Sequence, residues 1–224
     1  MKLLASAFLN AAEQDHWKDL RRNPALKRAD KSTLFLISAI GSALENAGIV
    51  SQELPPGTGL LTATAFGPQN TGVKFLNDML DYPEDQVLPA TFSHSVYNAA
   101  ASYAAAFFAL RGPSYSVAGF RNLCESSLKT AEVLLESDFC PLLIYAVISE
   151  KAVFSEAASR ILRREKPVAG PGSLPAEEEE EKEIEGAAAF LLAKGQPENE
   201  QQIFPPAFYK DFIPVTERRL NTYV

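Results

Sequence analysis

Two runs in the second half of the chain constrain its fold most. Cys140-Pro141-Leu142-Leu143-Ile144-Tyr145-Ala146-Val147-Ile148 and Gly186-Ala187-Ala188-Ala189-Phe190-Leu191-Leu192-Ala193 carry no charge at any position. Both are of strand length, and the first is rich in branched side chains. A strand that is apolar at every position, rather than at every second one, is buried on both faces. The chain must therefore build a sheet that helices cover.

The first half supplies such helices. Asp30 reads as an N-cap, Leu34, Ile37, Gly41 and Leu44 recur at helical spacing, and Gly48 ends the element, so a helix is predicted over 31–47. After the Pro55-Pro56-Gly57 turn, residues 59–65 form a β-prone run closed by Gly67-Pro68. Thr71 to Leu80 reads as a helix and 81–93 as a loop. Val96 to Leu110 is apolar on nearly every side, which predicts a helix buried all round. Gly112-Pro113 stops it. Ser114 to Ala118 is a strand candidate, and Asn122 to Glu136 a helix with Asn122 as its cap. This alternation of strand and helix predicts an α/β fold.

Composition excludes several functions. The chain has 224 residues, enough for one domain with a sizeable core. The net charge of −7 argues against a general nucleic-acid binder. Cys124 and Cys140 form no CxxC, so a disulfide framework is not expected and a cytosolic, reducing setting fits. The two histidines, His16 and His94, are too few and too far from these cysteines for a metal site, and no cofactor is expected. The apolar start, Met1 to Leu9, meets Asn10, Glu13 and Asp15 too soon for a signal peptide. No apolar run reaches the roughly 18 residues of a membrane span. Residues 166–183, rich in Pro and Gly and then acidic from Glu177 to Glu181, read as a mobile surface loop. The tail from Ile203, with Phe204, Phe208, Tyr209, Phe212 and Tyr223, is expected to pack on something.

Three segments carry a family resemblance. Phe92-Ser93-His94-Ser95-Val96-Tyr97-Asn98-Ala99 with its alanine-rich continuation resembles the helix before the active-site strand of β-ketoacyl synthases. Leu110-Arg111-Gly112-Pro113-Ser114-Tyr115-Ser116-Val117 resembles the strand that leads into that family's nucleophile elbow. Glu185-Gly186-Ala187-Ala188-Ala189-Phe190 resembles a later Glu-Gly-Ala strand. The resemblance covers roughly residues 30–193 and implies the N-terminal half of a thiolase-like fold. Counted from Gly112 without gaps, the family's cysteine nucleophile falls on Arg121. A second register, with an insertion of three residues before the helix, brings Cys124 nearer the elbow and stays open.

Arginine is no nucleophile at any accessible pH. Decarboxylative condensation needs a thiolate to hold the acyl chain and donors for the developing enolate, and no histidine follows residue 94. The resemblance thus implies no catalytic residue in this chain. It implies a chain-length-factor-like subunit of a type II polyketide, aryl polyene or fatty-acid system, partnered by a full-length ketosynthase. His94, Tyr97, Asn98, Tyr115, Val117, Phe120 and Arg121 are the residues expected at that contact or along an acyl tunnel. In the family two such halves stack into a five-layered sandwich, so a lone half needs a companion, or the aromatic tail as a cap. The basic residues at 18–31 and 160–166 read as ordinary surface or as docking for an acidic acyl carrier protein. A small acyltransferase or thioesterase using Cys124 with His94, and a self-associating homodimeric scaffold, are the competing readings.

Overall fold

A computed structural model describes residues 1–12, 15–120, 122–164 and 185–195, with the backbone alone over 159–164. Arg121, the 166–183 segment and the aromatic tail lie outside the described residues. The strands are β1 (Lys2–Asn10), β2 (Gly59–Thr64), β3 (Ser114–Ala118), β4 (Leu142–Ser149) and β5 (Gly186–Ala193). The helices are α1 (Lys31–Ala47), α2 (Gln69–Asp81), α3 (Pro89–Ser95), α4 (Ala99–Phe107), α5 (Leu123–Glu136) and α6 (Val153–Arg164), with short 3-10 turns between them.

The strands form one mixed sheet in the order β1-β5-β4-β2-β3. β2 runs parallel to both β3 and β4, while β5 lies antiparallel between β4 and β1. The two apolar runs are therefore neighbours at the centre, and side chains from Leu143 to Val147 and from Ala187 to Leu192 are almost wholly enclosed. Gly186 permits the closure of β1 on β5: a Cβ there would stand 1.8 Å from the Leu9 carbonyl oxygen.

Each face of the sheet has its own core. On one, Leu34, Ile37, Ile40 and Leu44 of α1 pack with Ile144, Ile148 and Leu191. Asp30 accepts the Thr33 amide at 2.8 Å, and Gly48 closes the helix at φ 67. A cap of this kind contributes about 1 kcal/mol. On the other face Leu123, Cys124, Ala131 and Leu135 of α5 pack with Leu61, Ala63, Tyr145 and Phe190. Ser127 anchors α5 by sharing a 2.8 Å hydrogen bond with the Tyr145 hydroxyl.

The structure corrects several expectations. The helix enclosed on every side is α1, where residues 32–40 are all buried between the sheet, α4 and Trp17. α4 is shorter than 96–110 and leaves Ser102, Ala106 and Phe107 exposed. Alanine makes a sequence apolar without demanding burial. The expected loop at 81–93 gives way to α3 from Pro89 onward. Asn122 stands at the cap position of α5, but in left-handed conformation (φ 55) and without a side-chain capping bond.

Candidate functional site

In an α/β sheet the carboxyl ends of parallel strands are where ligand-handling turns gather. Here three segments gather at that end: 64–68 after β2, 118–120 after β3 and 149–152 after β4. The first turn is drawn tight by Thr64, whose hydroxyl accepts the Gly67 amide at 3.0 Å. Gly67 has φ 65, and a Cβ on it would lie 2.8 Å from the Tyr97 ring. Only glycine satisfies both demands. The Phe66 ring meets the Phe120 ring edge-on with centroids 4.9 Å apart. Tyr97 and Phe120, which are 23 positions apart in sequence, thus converge on residues 66–67.

The other expected residues divide. Val117 packs against the core on the α5 side. Tyr115, two positions earlier on the same face of β3, is 48 % exposed. Asn98 is exposed and makes no side-chain cap to α4. His94 is half-buried at the end of α3, where its Nε2 shares a 2.8 Å hydrogen bond with the Tyr103 hydroxyl of α4. Sequence reasoning did not mark Tyr103, although it lies nine positions on from His94.

Cys124 and His94 are not brought together. Cys124 is 3 % exposed in the core on the α5 side, whereas Tyr103, which holds His94, packs against the core on the α1 side. Both cysteines are reduced and buried. Burial pushes the Cys140 thiol up, against a weaker contribution from the Gly59 amide, and so away from thiolate character.

A buried polar clasp beside these turns also escaped the sequence. Glu150, 4 % exposed, accepts the Asn70 amide at 3.2 Å and the Asn70 side-chain Nδ2 at 2.9 Å. Gln69 donates from Nε2 to the Glu150 carbonyl at 2.7 Å and accepts the Ser155 amide at 2.9 Å. The clasp ties the first turn of α2 to the end of β4 and the start of α6. Burial pushes the Glu150 carboxyl above its ordinary range, the Asn70 bonds oppose this, and the charges of Asp30 and Glu185 add to it. Burial raises Asp30 as well. Glu185 is paired with Lys31 at 2.6 Å. Among the described residues no three His, Cys, Asp or Glu side chains form a metal-holding group, and no helix is long and apolar enough to cross a membrane.

Residues 4–136 match the family described as beta-ketoacyl synthase, N-terminal domain. This chain belongs to the β-ketoacyl synthase N-terminal domain family. Solved structures agree on the thiolase-like ketosynthase fold. A β-ketoacyl synthase from Burkholderia phymatum STM815 aligns with TM-score 0.65 at 13 % identity, over 86 % of this chain and 58 % of the other. The ishigamide ketosynthase/chain length factor aligns with TM-score 0.61 at 18 % identity, over 82 % of this chain and 49 % of the other. The ketosynthase ApeO in complex with its chain length factor ApeC, from Xenorhabdus doucetiae, aligns with TM-score 0.53 at 12 % identity, over 85 % of this chain and 76 % of the other. The ketosynthase-like chain thus spans about half the length of the ishigamide protein. No curated protein matches its sequence.

Proposed function

We propose that this ketosynthase-like chain is a non-catalytic, chain-length-factor-like partner of an active β-ketoacyl-carrier-protein synthase in a type II polyketide or fatty-acid-type system. The observation that carries the reading is the open edge of the sheet. Among the described residues β3 is its last strand, and Tyr115, Phe120 and Tyr97 on and beside it are 48 %, 45 % and 47 % exposed. An unpaired edge strand flanked by exposed aromatic rings is a surface that a second strand and a second apolar face can complete. The same strand leads to the elbow at which the family's nucleophile stands, where the ungapped count puts Arg121. Cys124, the alternative, is sealed in the core. The partner supplies the thiolate and histidines, and this chain supplies a wall of the contact.

Lys18, Arg21, Arg22, Lys27 and Arg28 are all exposed on or just after the two 3-10 turns before α1. Lys18 and Arg22 are partly matched by Asp15 and Asp19 at 3.7 and 3.1 Å. The other three give an acidic acyl carrier protein a place to dock.

Co-expression with a full-length ketosynthase and measurement of the complex's mass tests the reading. A one-to-one complex whose condensation activity disappears when this chain is omitted is the expected result, with Arg121→Ala changing complex formation or product length. A stable homodimer that ignores the ketosynthase would instead make the β3 edge a self-pairing surface and the protein a scaffold.

A further inference from the structure

Away from the β3 edge, α2 and α3 enclose an apolar groove of about 470 Å³, lined by Phe75, Met79, Tyr82, Val87, Pro89 and Phe92 with Glu84 at its rim. Phe75 and Phe92, one from each helix, join the two walls with ring centroids 5.4 Å apart. The lining is open: Met79, Tyr82 and Phe92 are each more than half exposed, and Leu80 beside them is 84 % exposed. Isolated apolar side chains on a surface mean little, but a contiguous concave set marks a binding site.

The charged side chains of the segment 69–98 that forms the groove are mostly acidic. Asp81, Glu84 and Asp85 are exposed. Asp78 is matched by Lys74 at 2.6 Å, and no other lysine or arginine occurs between Gln69 and Asn98. The rim therefore repels an acidic partner and attracts a basic one.

We propose that the groove between α2 and α3 docks a segment of a partner protein that carries aromatic or aliphatic anchors flanked by lysine or arginine. The anchors fill the space between Phe75, Met79 and Phe92, and the flanking cations meet Asp81, Glu84 and Asp85. Anchor and charge requirements together give selectivity that neither gives alone. An acidic carrier protein is excluded here, in contrast to the basic turns before α1. The proposal stands without the ketosynthase reading, because it uses neither β3 nor the elbow.

The test is fluorescence anisotropy on the full chain with two synthetic peptides. Both carry the same leucine and phenylalanine anchors, flanked by lysine in one and by glutamate in the other. The lysine peptide is expected to bind at least about tenfold more tightly and to weaken as salt rises from about 0.05 to 0.3 M. Met79→Glu, at an exposed position and so compatible with folding, abolishes binding. The double change Glu84→Lys with Asp85→Lys reverses the preference. Tyr115→Ala leaves it unchanged, which separates this surface from the β3 edge. Equal binding of both peptides, binding of neither, or a preference indifferent to the double change overturns the proposal. A fluorescent fatty acid that binds the wild type but not Met79→Glu, while neither peptide binds, overturns it in favour of a lipid site.

Discussion

Glu150 holds both oxygens against one residue, Asn70, in a site closed to water. A carboxyl group raised by burial favours the protonated acid in the folded state. Its contribution to stability is fully present below the ordinary carboxyl value of 4.5 and is lost as pH rises through the raised value. Glu150→Gln removes that titration. Urea unfolding of both proteins from about pH 4.5 to 8 should show wild-type stability, relative to the variant, falling as pH rises. A difference that stays flat across the range would contradict it. Nothing in the sequence pointed to this residue, because Asn70 and Glu150 are 80 positions apart and a glutamate after an apolar run looks like the first exposed residue past a strand. The Gly67–Tyr97 approach was hidden for the same reason. A glycine-proline pair announces a turn, but not which ring lies over it.

Elements whose ends are written in local chemistry were legible. The bounds of α1, β3 and β5 match the expectation residue for residue, because Asp30, Gly48, Gly112-Pro113 and Gly186 set them by capping and backbone geometry. β1 was missed. A bulge between Leu3 and Ala5 breaks its alternation, and its partner β5 lies almost the whole chain away. α3 was missed because its Ser-His-Ser end has weak helix propensity, and its contact with α2 holds it. The most consequential element is β3. The Leu60 amide donates to the Pro113 carbonyl at 2.9 Å, so by the alternation of a parallel ladder Ser114, Ser116 and Ala118 turn their backbone groups to the open edge. Ser116→Pro removes an outward N–H and leaves the β2 ladder intact. It should weaken assembly with a ketosynthase about tenfold or more, whereas Ser116→Ala, which loses only the 2.8 Å bond to the Thr62 hydroxyl, should not. Equal effects of the two, measured by analytical ultracentrifugation, would remove the edge from the interface.

At the scale of the molecule, α5 separates this chain from the stacked architecture that its resemblance implies. A helix held between two sheets is apolar on both sides. Here Glu125, Ser126, Lys129, Glu132 and Glu136 face outward with Val133, and Lys129 pairs with Glu125 at 2.7 Å. That face is made for water, so on the proposed partner reading the interface falls on the β3 side. Because both native cysteines are buried, introduced thiols can report this. Val133→Cys should react with maleimide equally fast in the isolated chain and in the ketosynthase complex, while Tyr115→Cys should slow about tenfold or more on assembly. Protection of Val133→Cys would place a partner on α5 instead.

The antiparallel seam between β1 and β5 also has a consequence during synthesis. Residues 2–10 leave the ribosome well before residues 186–193, with which they pair. At about 5–20 residues per second the interval is on the order of ten seconds or more. Throughout it the apolar side chains of Leu3, Leu4 and Leu9 await the strand they pair with in the fold. Closing the sheet is therefore a late event with a large loop to fold back, and a chaperone that shelters residues 2–10 would govern how much of the protein arrives in its native form.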